Sequence, residues 1–255
     1  MTAGAMTYVS KPPPSFPSYH RWDRNFFLIL VGLIWLGIVS GFGWDVVDHL
    51  KKHQPNWPLI VHLHALFFVG WLVLLTTQIL LIRSRNVALH RRLGVAGAGL
   101  AAIMVVLAVA TSVVMDNHYL GTKDADPAFL SIQLADVIGF PVLAGAGLLL
   151  RADSAAHKRL ILLATLQISD AGFSRLEGFL FPTLYGHGFW SDWLAFYAGN
   201  GVLILGLGVF DLVTRKRLNS AYLAGAALIY GLQVSMLWLY LDPAWKPLAL
   251  KLLGH

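Results

Sequence analysis

ISDAGFSRLEGFLF, residues 168–181, places an aspartate, an arginine and a glutamate within eight residues of otherwise apolar sequence. Its reading decides the fold, because it ends an apolar run, Leu160–Phe181, long enough to cross a membrane. Ionised side chains in hydrocarbon cost several kcal/mol each unless they are paired or wetted. Asp170, Arg175 and Glu177 are therefore tolerable in a crossing only if they face the interior of a helical bundle.

Composition supports a membrane setting. The 255 residues are 57% hydrophobic and 13% charged, with a mean hydropathy of +0.65. A soluble domain carries about a quarter charged residues. There is no cysteine, which excludes disulfides, thiolate metal sites and cysteine nucleophiles. Seven runs have the ~20 apolar residues a helical crossing needs: Phe26–Trp44, Pro58–Ile82, Leu93–Met115, Phe129–Leu150, Leu160–Phe181, Trp193–Thr214 and Ala221–Leu241. The expected fold is all-α, a polytopic seven-transmembrane-helix bundle. It comprises a proline-rich tail (1–25), the transmembrane domain (26–241) and a short outer C-terminal tail (242–255). The first residues lack the order of a signal peptide, since a proline-rich polar segment leads into a full-length run. The tail is expected to be mobile or surface-bound up to about Ser18.

The net charge of +6 marks topology rather than a nucleic-acid surface. Of 19 lysines and arginines, thirteen fall in the N-terminal tail and the alternate loops Arg83–Arg92, Arg151–Arg159 and Arg215–Arg217. Five fall on the opposite side, and Arg175 lies within a run. Basic loops stay cytoplasmic, so the N-terminus is expected in the cytoplasm and the C-terminus in the periplasm of a bacterial inner membrane. Trp44, Trp57, Trp190, Trp193, Trp238 and Trp245 fall near the outer ends, where amphipathic rings favour the interface.

Two turns repeat. LLIRSRNVALHRRL (80–93) and LLLRADSAAHKRLI (148–161) each leave one run through an arginine and enter the next through His-Arg/Lys-Arg-Leu. With the stretches HAxxFVGWLxLLxxQxxLIRxR and HKRLILLAT, this part of the chain resembles a set of bacterial integral membrane proteins known only as a domain of unknown function. The resemblance covers the second to fifth runs and implies a helical membrane protein without an assigned activity. A looser likeness, in helix number and histidine placement, is to transmembrane di-haem cytochromes b. It implies haem b between histidine pairs, with His64, His90 and His157 as the matching candidates.

Depth follows from the 1.5 Å rise per residue. Glu177 and Arg175 are expected about 6 and 9 Å below the outer surface, and Asp170 about 16 Å. Gln133 and Asp136, entering from the same side, share that slab with His62 and His64. Gln167, Asp170, Ser174 and Glu177 form one polar stripe at helical spacing, which leaves Arg175 to seek a neighbouring helix, with Asp136 the expected partner. Pro141 lacks an N–H and leaves the Val137 carbonyl without its helical donor, one turn from Asp136. His62 and His64 diverge by about 200° on a helix, so one metal takes both only at an irregular helix start. His62, His64, Asp136 and Glu177 are the candidate set for zinc, iron or manganese, and Asp170, Arg175 and Glu177 are the candidate catalytic groups. His49, His53, His118 and His187 fall on outer loops.

Three function classes stay open: a metal- or haem-binding redox or catalytic protein, a small-molecule or proton pathway, and an accessory subunit of a membrane complex whose buried charges only fix packing. The expected surroundings are the lipid bilayer and either a membrane-complex partner or a small hydrophobic ligand, with no nucleic acid. The chain lacks a phosphate loop, a nucleophile elbow, a zinc-protease motif and a central lysine in the last run. It also lacks the glycine-flanked broken helices that mark many transporters.

Overall fold

The computed structural model describes residues 16–53, 55–181, 186 and 188–255. The described residues form nine α-helices: α1 (Asp23–Lys51), α2 (Leu59–Arg83), α3 (Val87–Tyr119), α4 (Leu130–Leu149), α5 (Ser154–Gln167), α6 (Asp170–Leu180), α7 (Phe189–Arg215), α8 (Ser220–Leu241) and α9 (Trp245–Leu252). Six of them, α1 to α4, α7 and α8, are long and apolar enough to cross a membrane. The chain is an all-α, multi-pass membrane protein.

The expectation of seven uninterrupted crossings is corrected at one place. Leu160–Phe181 is not a single helix but the pair α5 and α6, and neither qualifies by length. The interruption contains neither glycine nor proline. Ile168 and Ser169 keep right-handed φ (−81° and −86°) with ψ close to zero, the tightening of a 3₁₀ turn. Its cause lies in competition for one carbonyl. Leu166 O accepts from Ser169 N (3.2 Å), Ser169 Oγ (2.8 Å) and Asn200 Nδ2 of α7 (3.1 Å). Side chains that insert into the backbone ladder are a recognised source of helix breaks. Broken helices are therefore present, contrary to the expectation from glycine spacing.

The broken pair runs alongside α1, in the same direction and over the same length of chain. At one end Lys158 Nζ lies 2.6 Å from Asp23; at the other Arg175 Nε lies 3.2 Å from Asp45 and the Phe179 ring 3.7 Å from Trp44. The contact is closest at Gly41 and Gly172, where a Cβ on Gly41 would strike the Gly172 carbonyl. Small residues permit this approach between membrane helices. α4 pairs with α5, α7 with α6, and α8 covers α4 and α5, while α2 packs chiefly on α3.

The basic turns are sharply capped. Asn86 Oδ1 accepts from Leu89 N at the start of α3 (3.2 Å), and Asp153 Oδ1 from Ala155 N and Ala156 N at the start of α5 (2.8 and 3.2 Å). Asn219 Oδ1 does the same for α8, from Ala221 N and Tyr222 N (3.0 and 3.3 Å). Each satisfies N–H groups that a helix start leaves open. The segment 242–255 is not a loose tail, since α9 buries Trp245 and Ala249 and Trp245 Nε1 donates to Ala128 O at 2.9 Å. The expected mobile tail 1–15 lies outside the described residues. Phe16 to Ser18 are held: the Phe16 ring sits 4.7 Å from the Arg159 guanidinium, and Ser18 O accepts from Lys158 Nζ at 2.8 Å.

Candidate functional site

Two buried polar regions stand out, one at the level of the helix break and one at the end of the bundle that carries the basic turns. At the break, Asp170 opens α6 and Gln167 closes α5, both buried. Across from them on α4 stands Asp136. Gln167 Nε2 donates to Asp136 Oδ1 at 2.8 Å, which sets the Asp136 carboxyl within electrostatic reach of the Asp170 carboxyl. Carboxylates only accept, so two brought side by side in a buried setting are compatible when one proton is held between them. Asp170 Oδ1 also accepts from Ala171 N at 2.6 Å.

α7 closes the other side with Tyr197 and Asn200, both almost wholly buried, and the Tyr197 hydroxyl is in electrostatic reach of both carboxyls. α8 contributes the buried Gln233. Several atoms here have no hydrogen-bond partner: Gln167 Oε1, Asn200 Oδ1, Tyr197 Oη and both polar atoms of Gln233. Buried polar groups are paired in the great majority of proteins, so each orphan calls for an explanation such as an ion, a water or a chemical role. Asp136 is only half-buried. On its side of α4, Gln133 Nε2 donates to Asp116 Oδ1 of α3 at 3.3 Å, which extends the polar path toward the α3 C-terminus.

The second region is completed internally. Arg159 and Asp211 are both 0% exposed and form a two-pronged ion pair, Nε to Oδ2 at 2.7 Å and Nη2 to Oδ1. Arg159 Nη1 donates to Ala155 O at 2.8 Å. Arg215 Nη2 reaches both Asp23 oxygens at 2.7 Å. α1, α5 and α7 are thereby tied together, Arg159 and Asp211 by a two-nitrogen fork, the strongest geometry available to such pairs, and Arg215 by one nitrogen shared between the two Asp23 oxygens.

The expected site residues divide accordingly. Asp136 and Asp170 meet, with Gln167. Arg175 does not reach Asp136; its partner is Asp45, each side chain more than two-fifths exposed, with the Phe42 ring 4.6 Å from the guanidinium. The helix break rotates α6 relative to the expected continuous wheel, which aims Arg175 at α1. Glu177 is buried against α7, where Gly199 makes room for its carboxyl. His64 stacks on Phe68 at 3.9 Å, with its Nδ1 unpartnered, and His62 is exposed. The expected metal set His62, His64, Asp136 and Glu177 is not assembled. Among the described residues, no three histidine or carboxylate side chains gather in a geometry that would hold a metal ion.

His90 and His157 do come together, 6.3 Å between ring centroids at 89°. Each sits four residues after the cap of its helix, which is why the repeated turns place them side by side. His157 Nδ1 is 2.7 Å from Gly147 O, and His90 Nδ1 has no partner. His64 lies toward the far end of the bundle, so these three histidines do not form one site. Gln78, the expected inward extension of the polar track, instead donates to His90 O at 3.1 Å. His187 lies outside the described residues.

Asn200, Tyr197, Gln233 and the Arg159–Asp211 pair escaped the sequence reading. A signal for α7 existed: Tyr197, Asn200, Ile204, Asp211 and Arg215 recur at three- and four-residue steps, one helix face carrying both polar regions. Arg159 was counted as a loop residue marking the cytoplasmic side, and nothing in its local sequence distinguishes a buried arginine from an exposed one. No protein-family model, no curated protein and no solved structure matches this chain.

Proposed function

We propose that this membrane protein moves protons, alone or with a solute, and that the Asp136–Asp170 pair is its proton-exchange site. The observation that carries the reading is the meeting of a buried and a half-buried carboxyl at an interrupted helix, beside amide and hydroxyl atoms that no protein group satisfies. Intramembrane carboxyls of this kind serve proton relays in pumps and transporters, and irregular backbone at membrane depth belongs where it is enclosed by protein or lines a polar path. In the proposed arrangement the α5–α6 pair crosses as a broken helix, which puts the basic turns and N-terminus in the cytoplasm and α9 outside, in a membrane such as the bacterial inner membrane. Half-buried Asp136 exchanges with the outer side by way of Gln133 and Asp116. Asp170 hands the proton inward when α6 shifts against α1 at the Gly41–Gly172 contact.

The test is proton flux into vesicles that carry the purified protein and an internal pH-sensitive dye, driven by an imposed gradient. Wild type is expected to exceed protein-free vesicles, and Asp136→Asn and Asp170→Asn to fall at least tenfold while eluting as folded protein. Flux of Asp170→Asn equal to wild type, or wild-type flux equal to empty vesicles, overturns the proposal.

A further inference from the structure

We infer that the site at the helix break exchanges its shared proton for a small monovalent cation, with sodium as the fitting member; this rests on the proton-site reading above and names what competes with the proton. The orientation of three buried amides carries it. Gln167 donates its NH₂ to Asp136, Asn200 to the Leu166 carbonyl and Gln133 to Asp116. All three partners are acceptors, so chemistry alone decides which way each amide faces. In every case the carbonyl oxygen is left over, and in every case it has no partner: Gln167 Oε1, Asn200 Oδ1 and Gln133 Oε1. Gln167 and Asn200 are 0% exposed, so bulk water does not complete them.

The deficit is therefore of one kind. What is missing at the break is positive charge or a donor, and the waiting atoms are hard oxygens from two amides and two carboxyls. Hard oxygen ligands select alkali and alkaline-earth cations over transition metals. Charge selects between those two. The pair with its shared proton carries one negative charge; releasing that proton while admitting one monovalent ion leaves the total unchanged. A divalent ion would leave it one unit more positive, and no third carboxylate gathers there to compensate.

The groups around the pair agree with one-for-one exchange. α5 presents Gln167 and α7 presents Tyr197 and Asn200, all neutral. On α6, Arg175 acts on Asp170 only from a distance and is paired with Asp45 of α1. His64 of α2 is electrostatically coupled to Arg175, Asp116 of α3 is joined to Gln133 of α4, and α8 brings the neutral Gln233. Among the described residues, no ion pair or hydrogen bond joins a lysine or arginine to either carboxyl of the pair.

The experiment is infrared difference spectroscopy of the full-length protein in detergent, following the stretch of protonated carboxyls as pH is varied in sodium chloride or choline chloride at equal ionic strength. In wild type the protonated band is expected to disappear on adding sodium at constant pH, its midpoint falling by about one pH unit per tenfold rise in sodium, the signature of one-for-one competition by mass action. Asp136→Asn and Asp170→Asn should each remove the band. Gln167→Leu should keep the band and lose its sodium dependence, and Asn200→Leu provides the same test if the first variant does not fold. A wild-type band that titrates with pH but ignores sodium, or responds equally to choline, overturns the cation inference and leaves the proton site standing. Absence of any band removed by the two aspartate variants overturns the proton site itself.

Discussion

The two buried polar regions of this protein use the same residue types to opposite ends. At the basic-turn end, Arg159, Asp211, Arg215, Asp23 and Lys158 pair with one another and with backbone carbonyls until their principal contacts are filled. At the helix break, Asp136 and Asp170 have one side-chain amide and one backbone N–H, and the surrounding side-chain carbonyl oxygens are bare. A completed network resists change because each member removed strands a charge. An incomplete one has somewhere for an ion to go. Buried charge is therefore found in this bundle in two conditions, and only the incomplete one is proposed as functional.

The contrast is sharpest in stability. Arg159→Met strands the fully buried Asp211 and should cost about 3–5 kcal/mol, read as a lower unfolding midpoint in detergent. Pairing it with Asp211→Leu should recover most of that loss, because an apolar pair of similar size avoids desolvation altogether. If the double variant stays as unstable as the single one, the pair is more than a clamp and the comparison fails. Asp170→Asn should behave in the opposite sense. An amide replaces a carboxyl that shares a proton, so the unfolding midpoint should move by less than about 1 kcal/mol while proton flux is lost. A loss as large as that of Arg159→Met would make the break a second clamp.

Smaller effects test the frame around the two regions. Asp153→Ala removes the cap that accepts from Ala155 N and Ala156 N, and should cost about 1 kcal/mol. It should leave the flux unchanged, because the cap stands at the far end of α5 from the break. Smallest of all, Arg175→Ala should change stability by no more than about 1 kcal/mol, as its ion pair with Asp45 is more than two-fifths exposed on both sides. A severe loss there would revive Arg175 as a buried partner.

Much of the frame is legible in the residues. Hydrophobic length finds six helices, with ends displaced by up to about seven residues, while the caps of the repeated turns, Asn86 and Asp153, were not read although they lie where a helix start needs an acceptor. The site is legible in part. Asp136, Gln167 and Asp170 were marked by the cost of polar groups in an apolar run, and two of the three carboxylates expected to matter do meet. Arg175 was misdirected because a helical wheel assumes an unbroken helix, and the two-residue interruption at Ile168–Ser169 changes the aim of everything after it. The histidine–carboxylate set is not assembled among the described residues because His62 is exposed and His64 stacks on Phe68.

Apolar run length, the absence of cysteine and the asymmetry of basic residues are properties of the chain that bilayer thickness and charge translocation act on directly, so the sequence by itself determined an all-α membrane protein. The break in the fifth run was decided elsewhere. Ser169 offers a hydroxyl to Leu166 O, but Asn200 reaches the same carbonyl from another helix, thirty-four residues on. Which arginine is buried, which carboxyls share a proton and which amide oxygens are left bare depend in the same way on partners that only the packed bundle brings within hydrogen-bond distance.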